Sequence, residues 1–101
     1  MADLQPTRGH EQAGRRAVLV VSNETFNRSE TVIAMAMTGQ AQRAPFPLTY
    51  KLDDEVTGRR SWVKISQIRT LSTERLAKRI GRAPDDVVDK IIEGLNDIIQ
   101  K

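Results

Sequence analysis

The chain has 101 residues, with 16 Lys and Arg against 13 Asp and Glu and a formal charge of +3. That length suits a single domain over 1–101 with one modest core. The absence of cysteine and the single histidine exclude disulfides, thiolate metal sites, cysteine nucleophiles and any multi-histidine metal centre. No stretch approaches the ~20 apolar residues of a membrane span, and the opening MADLQPTRG lacks the basic and apolar parts of a signal peptide. A soluble, cytoplasmic protein without metal or organic cofactor is expected.

Taken in order, the first distinctive stretch is PTRGHEQAGRR, Pro6 to Arg16, in which Gly9 and Gly14 bracket His10, Glu11 and Gln12. The glycines let the backbone bend sharply on both sides, and Arg15 and Arg16 sit at the mouth of the apolar run AVLVVS, 17–22. This run and TVIAMAMT, 31–38, are apolar on both alternating sets of positions, the pattern of strands buried on two faces. Polar NETFNRSE between them reads as a turn, so the two strands pair as neighbours. GQAQRAPFP is a loop, because Pro45 and Pro47 forbid regular ladder bonding there. LTYKL, 48–52, alternates as a half-buried strand should, DDEVTGRR supplies another turn, and SWVKIS, 61–66, alternates with Val63 and Ile65 on one side. The local pattern of STERLAKRIGR favours a helix that stops at Gly81. Pro84 with Asp85 and Asp86 then starts a clear helix, since acids suit the positive end of its dipole. Val87, Val88, Ile91, Ile92, Leu95, Ile98 and Ile99 fall on one stripe of that helix, which must pack on the sheet. The expected fold is a small, mainly antiparallel β domain with a C-terminal helix.

Charge is unevenly spread. Arginines cluster at 15–16, 59–60 and 79–82, whereas Asp85, Asp86, Asp89 and Glu93 lie on the final helix. A loop with an acid–base pair beside a fixed guanidinium suits phosphate-ester chemistry on RNA. Such chemistry needs a base for the 2′-OH, a cation over the phosphate oxygens and a proton for the leaving 5′-oxygen. It needs no metal, and the 2′-OH separates RNA from DNA. Taken alone, a loop histidine and an Arg pair before a strand are more often solvated surface groups. Thr38 and Gly39, at the end of the second buried strand, add little by themselves.

Against that background, DLQPTRGHEQAGRRAVLVVS resembles the opening of the MazF/PemK/Kid family of toxin endoribonucleases, whose pattern runs Asp-Leu-x-Pro-Thr-x-Gly-[Ser/His]-Glu-Gln-x-Gly-x-Arg-Pro before a strand. The likeness continues through ETFNRS, MTGQ, the loop before PF, SWVKISQIRTLS and APDDVVDKIIEGLNDII, and so covers nearly the whole chain in order. The resemblance implies an SH3-like small barrel or antiparallel sheet flanked by helices, a homodimer, and metal-free cutting of single-stranded RNA at short sequences. It also implies a cognate antitoxin that blocks the RNA groove, with operator DNA bound only through the antitoxin complex. It turns AKRIGR into a strand. Carried over by position, Arg16 matches the arginine that stabilises or protonates the reacting phosphate and Thr38 the active-site threonine, while Glu11 and His10 match loop positions implicated in catalysis. Gln12, Gln40, Arg43 and Gln67 lie along the implied RNA path. Lys64 stands where some members carry arginine, and Arg15 is added here as a phosphate contact.

Three departures shape the expectations. The family usually opens with a Gly-[Asp/Glu]-Ile-x-x-Val strand, whereas only Met1 and Ala2 precede Asp3 here; a shortened or missing first strand would leave a ladder edge open. Ala17 replaces the usual proline. Ser66 stands where many members carry an acid, which shifts the base role to Glu11. The alternative to a ribonuclease is a non-catalytic binding module on the same scaffold, either a degenerate member that binds antitoxin or RNA, or a gyrase poison of the CcdB type.

Overall fold

β-Branched and aliphatic runs with few breakers favour extended chain, and six strands form among the described residues. A computed structural model describes residues 2–8, 15–53, 58–76, 79 and 81–100, with residues 2–8, 15 and 16 described by backbone alone. In chain order the elements are β1 (Ala2–Arg8), β2 (Arg15–Val20), α1 (Glu24–Asn27), β3 (Thr31–Thr38), β4 (Thr49–Leu52), β5 (Ser61–Ser72), a 3-10 turn (Thr73–Arg75), β6 (Gly81–Ala83) and α2 (Asp85–Ile99). The strands make one sheet in the order β4-β5-β3-β2-β1-β6, every neighbouring pair antiparallel. Its edges, β4 and β6, are not joined, so the sheet is open rather than a closed barrel.

The expected pairing of the two buried runs is present, with Val18 opposite Ala36, Leu19 opposite Met35 and Val20 opposite Ala34. The connection between them is one turn of helix rather than a plain turn. Asn23 supplies the reason: its side-chain oxygen accepts the Phe26 N–H at 3.0 Å and so satisfies a donor that the helix start leaves unpaired. Ser22, buried at the entry, accepts the Ile33 N–H at 2.9 Å and donates to Asn27. A first strand does exist, and it corrects the expectation of an open edge beside β2. β1 pairs with β2 from Asp3↔Val20 to Arg8↔Arg15 and with β6 from Ala2↔Ala83 to Leu4↔Gly81. Of the ambiguous AKRIGR segment, the residues that β6 contains are extended, which favours the strand implied by resemblance over the locally suggested helix.

β5 runs to Ser72, six residues beyond the alternation read from sequence. The difference has a definite cause. Met35 pairs with Ile68 but the next residue, Ala36, pairs with Lys64, so residues 65–67 have no partner on β3. This is a β-bulge of three residues, an odd number, and it therefore swaps which alternating set of β5 side chains faces which side. Ile65, freed from β3, donates its N–H to the Leu48 carbonyl at 2.9 Å and buries its side chain completely.

Both faces of β2 and β3 are packed, as the sequence pattern predicts. On one side Leu19, Met35, Met37, Leu52, Val63 and Ile65 meet Val88 and Ile91 of α2. On the other, Val18, Val20, Val32, Ala34 and Leu71 form a second, smaller cluster. The stripe of α2 is narrower than its composition suggests: Ile92 and Ile99 remain 36% and 64% exposed. On its buried side α2 also carries Gly94. A Cβ there would lie 2.8 Å from the Phe46 ring and 3.1 Å from Ile65 Cδ1.

Alanine is favoured over glycine inside a helix by about 1 kcal/mol, but overpacking a core costs ~1–3 kcal/mol. Gly94→Ala is therefore expected to lower stability by roughly 1 kcal/mol net, read as a lower denaturation midpoint at unchanged m. A gain in stability would show that Phe46 yields freely.

Candidate functional site

The bulge in β5 decides what faces what on the side of the sheet away from α2. Thr38 and Ala36 of β3 pair with Trp62 and Lys64, the even positions of β5. Beyond the bulge Ala34 and Val32 pair with Arg69 and Leu71, the odd positions. Lys64 and Arg69, which strict alternation would send to opposite sides, thus share one face. Between β2, β3, β5 and the 3-10 turn lies a concavity of about 170 Å³. Ala17, Val18, Ala36 and Leu71 contribute its apolar lining, and Thr38, Lys64, Gln67, Arg69 and Arg75 its polar lining.

Among the described residues three cations and no carboxylate border this space. Like charges gathered around a partly desolvated hollow raise the local potential for an anion, because each interaction is screened less than in bulk water. Lys64 is half-buried, whereas Gln67, Arg69 and Arg75 are exposed and free to adapt. Thr38 is half-buried at the end of β3, and its hydroxyl oxygen accepts the Gln40 N–H at 3.2 Å. That bond leaves the hydroxyl proton available to donate to a ligand. Arg75 is held from a distance: Thr73, at the start of its turn, gives both its N–H (2.9 Å) and its hydroxyl (3.2 Å) to the carbonyl of Glu30.

Of the residues singled out from sequence, Thr38, Lys64 and Gln67 come together around the concavity. Gln40 and Arg43 do not line it; both are exposed on the loop that follows β3. Arg15 and Arg16 occupy the first two positions of β2, opposite Arg8 and Thr7 of β1. Arg16 stands two positions before Val18 and Thr38 two positions after its partner Ala36, so both belong to the same end of neighbouring strands. The side chains of Arg15 and Arg16, and the whole of His10, Glu11 and Gln12, lie outside the described residues. Ser66 falls within the bulge and is exposed. Arg69 and Arg75 were not anticipated. The signal for Arg69 was present in SQIRT, but only the bulge brings it to this side; nothing local marks Arg75. Among the described residues no group of three or more His, Cys, Asp or Glu side chains is placed to hold a metal ion, and no helix is long and apolar enough to cross a membrane.

Comparison with known proteins gives this geometry a context. Residues 1–99 match the family described as PemK-like, MazF-like toxin of type II toxin-antitoxin system. The chain is 41% identical over 97 residues to Endoribonuclease EndoA of Bacillus subtilis, covering 93% of this chain and 84% of that protein. Its fold is similar to MazF in the MazE-MazF crystal structure (Form-III) from Deinococcus radiodurans, with a TM-score of 0.83, 26% identity, and coverage of 96% of this chain and 92% of that one. It is also similar in fold to a mycobacterial endoribonuclease solved in complex with its cognate antitoxin, at a TM-score of 0.74, 24% identity, and coverage of 92% and 88%.

The charge of the concavity is directly testable. Arg69→Gln with Arg75→Gln should lower the salt concentration at which the protein leaves a heparin column clearly more than Lys90→Gln with Arg82→Gln does. Equal shifts would mean that net charge, not this hollow, governs polyanion binding.

Proposed function

The chain belongs to the PemK-like, MazF-like toxins of type II toxin–antitoxin systems, and from that premise we propose that it is a sequence-specific endoribonuclease that cuts single-stranded RNA without a metal. The observation that carries this reading is the hollow that Thr38 lines together with Lys64, Gln67, Arg69 and Arg75, with no carboxylate among the described residues that border it. A phosphodiester fits that combination of cations and donors, and the backbone of Arg16 enters the sheet at the same end.

In the proposed reaction Glu11, in the segment between β1 and β2 that also carries His10, takes the proton of the ribose 2′-OH. The 2′-oxygen attacks the adjacent phosphorus, and negative charge builds on the two non-bridging oxygens. Arg16 supplies charge and hydrogen bonds to those oxygens. Its guanidinium keeps its protons near neutrality, so stabilisation is the larger part of its role. Thr38 holds the phosphate by its free hydroxyl proton. The P–O5′ bond breaks, the 5′-oxygen takes up a proton for which the His10 imidazolium is the best-matched donor in this segment, and a 2′,3′-cyclic phosphate and a 5′-hydroxyl result. With Ser66 unable to act as an acid or base near neutrality, the base role rests on Glu11. Gln12, Gln40, Arg43 and Gln67 contribute to base choice and Arg15 to phosphate binding.

The partners follow from the same reading. A homodimer is proposed, acting in the cytoplasm, together with a cognate antitoxin that covers the cationic hollow and brings the pair to operator DNA. Relatives solved with MazE or a cognate antitoxin support the antitoxin partner. The non-catalytic alternative loses one of its supports, because β1 fills the edge whose opening would have suggested a degenerate member.

Purified protein is expected to cut unstructured RNA in EDTA and to leave a 2′,3′-cyclic phosphate detectable by mass spectrometry. Arg16→Ala should lower the rate by roughly a hundredfold or more, the scale of losing one stabiliser of developing charge, with no change in thermal midpoint. A single 2′-deoxyribose at the cleaved position should abolish cutting there. Intact RNA after long incubation with folded protein would refute the proposal.

A further inference from the structure

A second cationic cluster adjoins the hollow on the same face. Trp62 stands opposite Thr38 on β3 and opposite Lys51 on β4, and directly paired residues of neighbouring strands share a face. Lys51 Nζ lies 5.7 Å from the centroid of the Trp62 ring, and Arg60 Cζ lies 5.2 Å from it. Both distances fall within the ~6 Å reach of a cation–π contact. Trp62 as a residue is only 9% exposed, whereas Lys51 and Arg60 are exposed. The two cations therefore cover the indole and present their own charge to solvent. Among the described residues neither has an ion-pair partner.

The arrangement has a chemical logic. Two like charges over one ring repel each other, and an anion placed between them removes that repulsion while gaining both attractions. The indole restricts where the cations sit, so less freedom is lost when they close on a ligand. A covered ring leaves no open platform for a stacked base, which points to phosphate as the bound group. Lys51 is two strand spacings, about 10 Å, from Thr38, a span that a neighbouring phosphate of the same extended strand can reach. Continuity with Thr38 and Lys64 on one face favours the nucleic acid over an acidic peptide.

We propose that Lys51 and Arg60, positioned by Trp62, clamp a backbone phosphate of a nucleotide flanking the cleaved linkage. This rests on reading the hollow as the cleavage site. The clamp reads charge rather than sequence, and it makes affinity depend on RNA that extends over β4.

The test compares the wild type with Lys51→Gln/Arg60→Gln, changes at two exposed positions that leave the core untouched. The binding probe is an unstructured, fully 2′-O-methylated RNA, which has no 2′-OH to react. Loss of the contacts to that one phosphate should reduce the slope of log K against log salt by about 0.7 and weaken binding roughly tenfold at moderate salt. The rate at saturating unmodified RNA and the thermal midpoint should stay as in the wild type. A 2′-O-methylated dinucleotide, too short to reach β4, should bind both proteins equally. Trp62→Phe should retain most of the affinity and Trp62→Leu should lose much of it, which separates ring-held cations from simple surface charge. An unchanged salt slope, or a loss equally large with the dinucleotide, would overturn the clamp. So would an acidic peptide that needs Lys51 and Arg60 when RNA does not. Wild-type protein that binds RNA but never cuts it would sink the nuclease reading instead, and the salt slope would still decide the clamp.

Discussion

The arrangement of this molecule depends on a break in one hydrogen-bond ladder. At residues 65–67 of β5 the pairing with β3 skips three positions, and because side chains alternate with a period of two, an odd skip exchanges inside for outside. Val63 before the break and Ile65 at its start face α2 and Lys64 faces the hollow; after it, Arg69 and Leu71 share the side of Lys64. A regular strand would send either the apolar set or the cations to the wrong layer. The cost of the unpaired stretch is offset locally, since Ile65 finds the Leu48 carbonyl and is fully buried. Packing and site are thus two results of one irregularity.

This division of faces also organises the electrostatics. The carboxylates Asp85, Asp86 and Asp89 belong to α2, whose buried residues lie against the opposite side of the sheet from the hollow. The described cations that concern the ligand stand on the other side or at its margin: Lys64, Arg69, Arg75, Lys51 and Arg60. With a formal charge of only +3, the chain thus gathers a group of cations on one face without the general self-repulsion of a strongly basic protein. For the proposed ribonuclease activity, local arrangement matters more than net charge.

Much of this was legible from the order of residues. Doubly apolar runs at 17–22 and 31–38 marked the central strands, and Pro84-Asp85-Asp86 marked the start of α2. The resemblance marked Thr38, Lys64 and Gln67, which converge. What escaped had physical causes. Alternation ended the reading of β5 at Ser66 because the bulge interrupts the period there, and Arg69 was missed with it. Arg75 is positioned by bonds from Thr73 to Glu30, 43 residues away in sequence, a link that no local pattern encodes. The helix α1 came from a single cap, Asn23, within a segment whose composition suited a turn equally well. β1 was hidden by its polar residues and proline, and its strand character comes from having β2 and β6 on either side.

The contact of Phe46 with Gly94 has a further consequence for how such a molecule diversifies. Phe46 also meets Tyr50 at 6.4 Å between ring centroids and carries the Lys90 ammonium 5.0 Å above its ring. The distal end of the loop is thereby moored to α2, independently of what precedes it. Residues 39–44, ahead of that mooring, make few bonds beyond the Gln40 N–H to the Thr38 hydroxyl, the Gln42 side chain to the Gln40 carbonyl and the Thr49 hydroxyl to the Ala44 carbonyl. Insertions or exchanges in that stretch can accumulate without unseating the helix or shifting β4. Lineages derived from such a scaffold have a place to vary what they recognise while the machinery beside it stays put.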